Sequence, residues 1–325
     1  MKWHGEAMRR LIGILVVVFA SAASGADEYP ARTVRVIVPF APGGGTDIVA
    51  RILGQQLSHK LGQSFVIENR PAGSGIVGAD LVAKAPADGY TLLFAFSSLS
   101  SSAKLFSHLP YDPIRDFAPV ALATTSPLLA VAPASLPAKN IAEFIAHARA
   151  HPGKLNYGSS GPGSSPHLAT ELFLSMTGTQ MAHIAYKGIA PAITALLADE
   201  VQFSLVPIAV GMPHVRSGKL RALGVAGLSR SSAAPEIPTM AQSGLPGFEV
   251  IGWWGLLAPA KTPRNTVDLL NRELRAALEV PEVRRTLLDQ GMDPAGGTPE
   301  QFGALIKADM DKWGEIGRRL GVKLD

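Results

Sequence analysis

The sequence contains no cysteine, which excludes disulfide bonds, thiolate catalysis and a lipid-modified N-terminal cysteine. After residue 26 no apolar run reaches the roughly 20 residues that a membrane-spanning helix requires. Basic runs and patches of interleaved basic and aromatic residues are also missing. Thiol chemistry, insertion into a membrane and nucleic-acid binding are therefore not expected of the chain after residue 26.

The first 26 residues have the layout of a secretory signal peptide. Three basic residues, Lys2, Arg9 and Arg10, are followed by an apolar segment at 11–20 and by small residues at 21–26. The apolar segment has about half the length needed to cross a bilayer, so a cleaved signal is favoured over the alternative, a retained anchor. We therefore predict cleavage after residue 25 or 26 and a mature chain that acts in the periplasm.

Removal of residues 1–25 leaves 300 residues and takes away three basic residues and one acidic residue, so the formal net charge falls from +4 to +2. Single hydrophobic cores stop growing near roughly 250–300 residues, and a chain of this length favours two domains. Outside the cytoplasm there is no supply of ATP or NADH. The sequence therefore predicts no nucleotide cofactor, and no other cofactor is expected.

Strand-like apolar runs, among them 119–123 and 128–131, alternate over most of the chain with segments of helical spacing, among them 47–61 and 212–217. This alternation predicts an α/β protein in which mostly parallel sheets are flanked by helices. Two such sets follow each other, and the chain crosses from one to the other near residues 121–127 and returns near residues 250–259. We expect one lobe at 26–122 plus 252–325, a second lobe at 123–251, and a ligand cleft between them, where the carboxyl ends of strands meet.

The loop PFAPGGGTD, residues 39–47, joins the first predicted strand to the first predicted helix. Gly43, Gly44 and Gly45 let the backbone approach a ligand, and Thr46 or Asp47 can cap the helix. The positive end of a helix favours an anion there. The alternative is a tight turn that binds nothing.

Three other loops have the same position between a predicted strand and a helix start. One carries the serines of GSSGPGSSPH, residues 158–167, including Ser160, Ser164 and Ser165. Another is YKGIAP, residues 186–191, and in the third Ser97 and Ser98 follow a strand. Together these loops predict a cleft that holds one or two carboxylates with neutral donors.

Motifs of catalysis match poorly. Residues 73–78 read GSGIVG, but the segment does not emerge from a strand as a dinucleotide-binding loop would. Ser160 lies in GSSGP, which approaches the nucleophile elbow of hydrolases but has Pro162 in the last glycine position. His147 and His151 are one helical turn apart with no carboxylate between them, as expected of surface histidines rather than of a metal site.

The chain resembles the tripartite tricarboxylate transporter substrate-binding proteins, also called Bug receptors. The resemblance covers essentially the whole mature chain, and the order and spacing of its segments are specific to the family. The segments are VRVIVPFAPGGGTDIVAR (34–51), VIENRPAGSGIVGAD (66–80), ADGYTLLF (87–94), YDPIRDFAPV (111–120), LNYGSSGPGSSPHLATELF (155–173), YKGIAPAITALL (186–197) and GLLAPAKTP (255–263).

The resemblance implies a non-enzymatic, two-lobed periplasmic-binding-protein fold of the Venus flytrap type that closes over a small organic acid or related amide. It implies delivery of this ligand to the membrane permease of a tripartite tricarboxylate transporter, and we expect a monomer. A sensor that docks on a signalling protein, or an exported serine hydrolase, is the alternative. Carried over, the ligand-binding role falls on Pro42, Gly43, Gly44, Gly45, Thr46, Asp47, Ser160, Ser164, Ser165, His167, Tyr186, Lys187 and Gly188, besides Ser97 and Ser98.

The sequence departs from the family pattern at two places. Amino-acid-binding members usually carry an aspartate where this chain has Val206, so a ligand ammonium would lack its counter-charge. The loop after the third strand often carries a histidine and an asparagine, which the serine-rich run at 97–103 lacks. The sequence therefore favours a small carboxylate or amide over aspartate and glutamate.

Overall fold

The computed structural model describes residues 29–321, and the predicted signal peptide, residues 1–25, lies outside them. From Arg32 onward the described residues form one compact unit. The three described residues before it, 29–31, belong to neither a helix nor a strand. Within 29–321 no helix combines the length and the apolar character that crossing a membrane requires.

Ten strands are formed by the described residues. They are β1 (Val34–Val38), β2 (Phe65–Asn69), β3 (Thr91–Phe96), β4 (Phe117–Pro133), β5 (Leu155–Ser159), β6 (Met181–Ala185), β7 (Ser204–Pro207), β8 (Leu220–Val225), β9 (Ile251–Pro259) and β10 (Asp293–Pro294).

Ten α-helices lie between and after these strands in the same part of the chain. They are α1 (Gly45–Leu61), α2 (Ile76–Ala83), α3 (Ser98–Ser101), α4 (Ile141–Ala150), α5 (Ser165–Thr177), α6 (Ile189–Leu197), α7 (Ile208–Arg216), α8 (Arg264–Leu278), α9 (Pro281–Asp289) and α10 (Pro299–Leu320).

One group of strands, here the first strand group, is built around β1. Strands β2 and β3 pair with β1 in parallel, β9 pairs with β3 in antiparallel, and the first part of β4 pairs with β9 from Phe117 to Pro127. Its core lies between the sheet and α10, where Trp253 meets Phe302 edge-to-face at 5.2 Å between ring centroids. The predicted βα pattern is thus present, with antiparallel crossover strands added to it.

A second strand group begins where β4 continues from Leu128 to Pro133. This part of β4 pairs with β7 and β8 in antiparallel. Strands β5 and β6 pair in parallel, and a bridge between Tyr157 and Phe203 joins β5 to the start of β7. Fully buried rings of Phe144, Phe173 and Phe203 stack in its core. One long strand therefore belongs to both groups.

Differences from the sequence-based expectation include those at β4 and at α7. Separate strands were expected at 119–123 and 128–131, but β9 pairs along the whole intervening segment, with register shifts near Ala121 and Thr124. The helix expected at 212–217 begins at Ile208, because Pro207 ends β7 and starts the helix directly. Pro213 therefore lies inside this helix rather than in its first turn.

Candidate functional site

A cavity lies where the carboxyl ends of the strands of both groups meet. On the side of the first strand group its lining is the end of β1, the start of α1, the end of β3 and one residue of β9. The lining residues there are Phe40, Gly44, Gly45, Thr46, Phe96 and Trp254. Phe96 and Trp254 are stacked at 4.8 Å between ring centroids, so this wall is largely aromatic.

The second strand group contributes Ser160, Pro166, Ile189 and Pro207 to the lining. Ser160 follows β5, and Pro207 ends β7. Pro166 and Ile189 lie in the first turns of α5 and α6. The cavity has a volume of about 20 Å³, which is room for about one water molecule. The two walls are therefore nearly in contact in this structure.

The two walls come close together at the start of α1. A Cβ atom at Gly45 would lie 3.3 Å from the Trp254 ring and 3.4 Å from Pro207 Cβ, and one at Gly44 would lie 3.4 Å from Ile189. No side chain caps this helix, so its first amides have no intrahelical or side-chain partner. These glycines let an uncapped, positive helix end form part of the cavity surface.

Ser160 has the most informative polar atom of the lining. The residue is 4% exposed, and its Oγ has no hydrogen-bond partner among the described residues. A buried hydroxyl without a partner costs free energy, about 1–3 kcal/mol, unless a ligand or water satisfies it. Thr46 Oγ1, by contrast, accepts a hydrogen bond of 3.1 Å from Trp254 Nε1 and keeps its own proton to donate.

Asp47 braces the glycine loop from the side away from the cavity lining. Its carboxylate accepts hydrogen bonds from Gly43 N at 3.0 Å, from Arg51 at 3.0 Å and from Asn69 Nδ2 at 3.0 Å. Burial raises the pKa of Asp47, but these three donors outweigh burial and hold the pKa below its usual value. Gly43 thus donates to Asp47, and Pro42 is exposed.

Four of the predicted ligand-binding residues line the cavity: Gly44, Gly45, Thr46 and Ser160. The serines expected there as further contacts instead join the two strand groups to each other. Ser97 Oγ lies 2.8 Å from Ser165 Oγ, Ser165 N donates to Ser98 Oγ at 3.2 Å, and Ser101 Oγ donates to Gly163 O at 3.1 Å. We call Ser97, Ser98, Ser101 and Ser165 the serine cluster.

His167 lies beneath the loop that carries Ser160. Gly163 N donates to His167 Nδ1 at 3.0 Å, and the ring is stacked on His183 at 4.1 Å between centroids. Burial, and secondarily the neighbouring His183, lowers the pKa of His167 to about 3, and burial lowers that of His183 to about 4. His167 is therefore a neutral acceptor, and Ser164 caps α5 by accepting from His167 N at 3.4 Å.

The third predicted loop reaches the cleft through its glycine. Gly188 has φ +132, and a Cβ there would lie 3.1 Å from Ala41 N, so only a glycine allows this approach to the first loop. Lys187 is exposed and Tyr186 is half-buried, and neither lines the cavity.

The apolar part of the lining was not recognised in the sequence. None of Phe40, Phe96, Ile189, Pro207 and Trp254 was predicted to be a ligand-binding residue, although all five line the cavity. Alternation along β9 was an available signal: Trp253 points to Asp309, and the next residue, Trp254, points to Thr46.

The geometry does not provide a nucleophile with a base. Ser160 Oγ has no partner within the described residues, and His167 Nδ1 is occupied by Gly163. Ser159 does lie 2.6 Å from His183 Nε2, but it is fully buried and inaccessible to a substrate. No group of three or more potential metal ligands occurs in residues 29–321.

Comparison with known proteins likewise indicates a binding protein rather than an enzyme. The family model described as "Tripartite tricarboxylate transporter family receptor" matches residues 49–322. A protein of R. palustris solved with adipate is 36% identical, with 91% of this chain and 99% of that chain covered and a TM-score of 0.89. The periplasmic binding protein BugD is 33% identical, with coverage of 91% and 99% and a TM-score of 0.88.

A third solved structure, MatC from Rhodopseudomonas palustris with bound malate, is 34% identical. The match covers 89% of this chain and 99% of that chain, with a TM-score of 0.86. The fold is thus that of the two-lobed periplasmic binding proteins, and these relatives are solute-binding proteins rather than enzymes.

Proposed function

We propose that this chain, a periplasmic solute-binding receptor that belongs to the tripartite tricarboxylate transporter receptor family, captures a small carboxylate-bearing ligand, or a related amide, between its strand groups. We propose also that it delivers this ligand to the permease of such a transporter. We further propose that the lobes comprise residues 26–122 plus 252–325 and residues 123–251. We also propose that the chain is exported through a cleaved signal at residues 1–25 and acts as a monomer.

The observation that carries the carboxylate assignment is the unpartnered Oγ of Ser160 in a cavity that also holds the uncapped start of α1. A carboxylate has acceptor oxygens only, and both features supply donors. A hydrogen bond to a charged group stabilises a complex by about 1.5–3 kcal/mol. Binding would satisfy Ser160 and the first amides of α1 at the same time.

The charges of the lining support the same ligand class. The structure has Val206 buried in β7, with Pro207 next to it on the cavity wall, and no acidic residue belongs to the described lining. A ligand ammonium would therefore be buried without a counter-charge, at a high cost in free energy. This agrees with the expectation that aspartate and glutamate are poor ligands.

The test is calorimetric titration of the mature protein, refolded to remove carried-over ligand, with adipate, malate, succinate and benzoate. In Ser160→Ala, affinity for the ligand that binds is expected to fall about tenfold or more, because one charge-assisted hydrogen bond is lost. The stability of the ligand-free variant is expected to stay equal or rise, since an unsatisfied hydroxyl has been removed.

Thr262→Val is the matched control. Thr262 Oγ1 is also buried without a hydrogen-bond partner among the described residues, but it lies outside the cavity lining. We expect unchanged affinity in this variant. Equal affinity in Ser160→Ala and wild type would remove Ser160 from the site, and no binding of any acid would overturn the receptor proposal.

A further inference from the structure

The walls of the cavity are more apolar than a dicarboxylate needs. Phe40, Phe96 and Trp254 form one face, and Pro166, Ile189 and Pro207 form the other. The remaining lining consists of the two glycines and two hydroxyl residues at the start of α1 and after β5. A ligand that fills this space therefore touches rings and aliphatic carbons over most of its surface.

The lining provides for one carboxylate but not for a second. No lysine, arginine or histidine belongs to the lining within the described residues. Arg51, near the glycine loop, is committed to Asp47 and Asn69. A second buried carboxylate would lose its hydration without gaining a counter-charge, which is strongly unfavourable.

The small distance between the walls favours a thin ligand. In this structure the walls leave a volume of only about 20 Å³, so they must separate to admit any ligand. An aromatic ring requires a separation of only about one van der Waals thickness, roughly 3.5 Å. Phe96 and Trp254 are stacked on each other with 24° between their planes, and the aromatic wall that they form with Phe40 can contact such a ring by an outer face or an edge.

From these three observations we infer that the ligand class is an aromatic monocarboxylate, a flat apolar ring that carries a single carboxylate. Its carboxylate accepts hydrogen bonds from Ser160 Oγ, Thr46 Oγ1 and the first amides of α1. Its ring lies between the aromatic wall and the wall of Pro166, Ile189 and Pro207. This assignment rests on the proposed receptor function and narrows its ligand class.

The experiment is a competition and titration series on the wild-type mature protein with five probes. They are benzoate, cyclohexanecarboxylate, benzamide, benzene-1,4-dicarboxylate and malate. We expect benzoate to bind at least about tenfold tighter than malate and the dicarboxylate, because their second charge is buried without a partner. Loss of ring flatness in cyclohexanecarboxylate is expected to weaken binding about three- to tenfold.

The outcomes separate this inference from the receptor proposal. Tighter binding of malate or of the dicarboxylate than of benzoate would overturn the aromatic assignment and leave the carboxylate receptor intact. Benzamide binding as tightly as benzoate would contradict recognition of the carboxylate charge while retaining the ring site. No binding of any probe would overturn both.

A variant pair tests the aromatic wall itself. Phe96→Leu keeps the wall apolar but removes its flat surface, and the preference for benzoate over cyclohexanecarboxylate is expected to shrink about three- to tenfold. Phe117→Leu is the control, since Phe117 is equally buried and packs edge-to-face on Tyr111 outside the cavity. An unchanged preference in a folded Phe96→Leu protein would contradict stacking on this wall.

Discussion

His167 illustrates how a single neutral side chain shapes the loop of the candidate site. Its Nδ1 accepts from Gly163 N, which leaves the imidazole proton on Nε2, 3.9 Å from Glu171 Oε1. Ser159 performs a similar role, because its Oγ accepts from Gly161 N at 3.0 Å. The loop that presents Ser160 is therefore held by two buried acceptors beneath it.

Substitution of His167 separates this bracing role from direct ligand contact. In His167→Asn the amide oxygen lies near the position of Nδ1 and still accepts from Gly163, so most of the affinity should be retained. In His167→Leu the amide of Gly163 loses its partner, and affinity should fall about tenfold. Titration calorimetry of both variants decides the point: an equal, large loss in both would indicate a ligand contact made by the imidazole itself.

The buried histidine pair also predicts a pH dependence of stability. The unfolded chain protonates histidine near pH 6.5, whereas the folded-state pKa values are about 3 for His167 and about 4 for His183. Below pH 6.5 the unfolded state therefore binds more protons, and the free energy of unfolding falls as pH falls. The groups around the pair are Tyr157, Ser159 and Glu171.

Urea unfolding at pH 7 and pH 5 measures this effect, in a range where carboxylates of ordinary or lowered pKa change little. We expect a loss of up to about 1.4 kcal/mol per pH unit from each histidine. The double variant His167→Asn, His183→Gln should lose less stability over the same interval. An equal pH dependence in the double variant would place the acid sensitivity elsewhere.

At the level of elements, the pairing of β4 with β9 connects the two strand groups and allows no extra atoms at Gly255. A Cβ there would lie 2.9 Å from Ala121 O and would overlap the ring of Phe302. Gly255 is in the middle of β9, with the sheet on one side and α10 on the other. The close packing of α10 on this strand depends on the missing side chain.

Gly255→Ala is expected to destabilise the protein by about 1–3 kcal/mol, because backbone and ring must move to relieve the overlap. The change is read from the urea midpoint. Gly303→Ala in α10 is the control: its Cβ would lie 3.3 Å from Pro119 Cγ, and alanine favours a helix. Equal midpoints for the two variants would contradict the tight β9–α10 packing.

Most elements follow from the sequence because their apolar spacing is local, as in α1, expected at 47–61 and observed at Gly45–Leu61. The continuous β4 does not, because Ser126 and Pro127 give the middle of this segment weak strand character. Only its pairing with β9, a contact between residues distant in the chain, makes it a strand. Pairing with a distant strand, rather than local propensity, thus makes the middle of β4 part of a continuous strand.

At the scale of the whole molecule, the serine cluster closes the cleft without belonging to the lining of its cavity. Its hydrogen bonds join residues after β3 to residues after β5. Such contacts stabilise the form described here, whose cavity of about 20 Å³ has no room for a ligand, so they compete with binding.

Ser97→Ala combined with Ser98→Ala is therefore expected to raise affinity roughly three- to tenfold, since each neutral hydrogen bond that stabilises the narrow form contributes about 1 kcal/mol. Small-angle scattering of the ligand-free variant should show a larger radius of gyration than that of the wild type. Lower affinity with an unchanged ligand-free scattering profile would instead favour direct contact of these serines with the ligand.

The sequence predicted the polar part of the site better than its apolar part. Gly44, Gly45, Thr46 and Ser160 occur in loops whose composition is unusual by itself. Phe96 and Trp254 resemble ordinary core residues in the sequence, and only the meeting of β3, β9 and α1 brings them to the cavity.

A cavity with room for one water molecule is too small for a carboxylic acid to enter while the serine cluster is intact. Association then proceeds through molecules in which the cluster has already separated, so the rate of capture reaches a ceiling set by the rate of opening. The rate of capture thus depends on hydrogen bonds between residues outside the cavity lining.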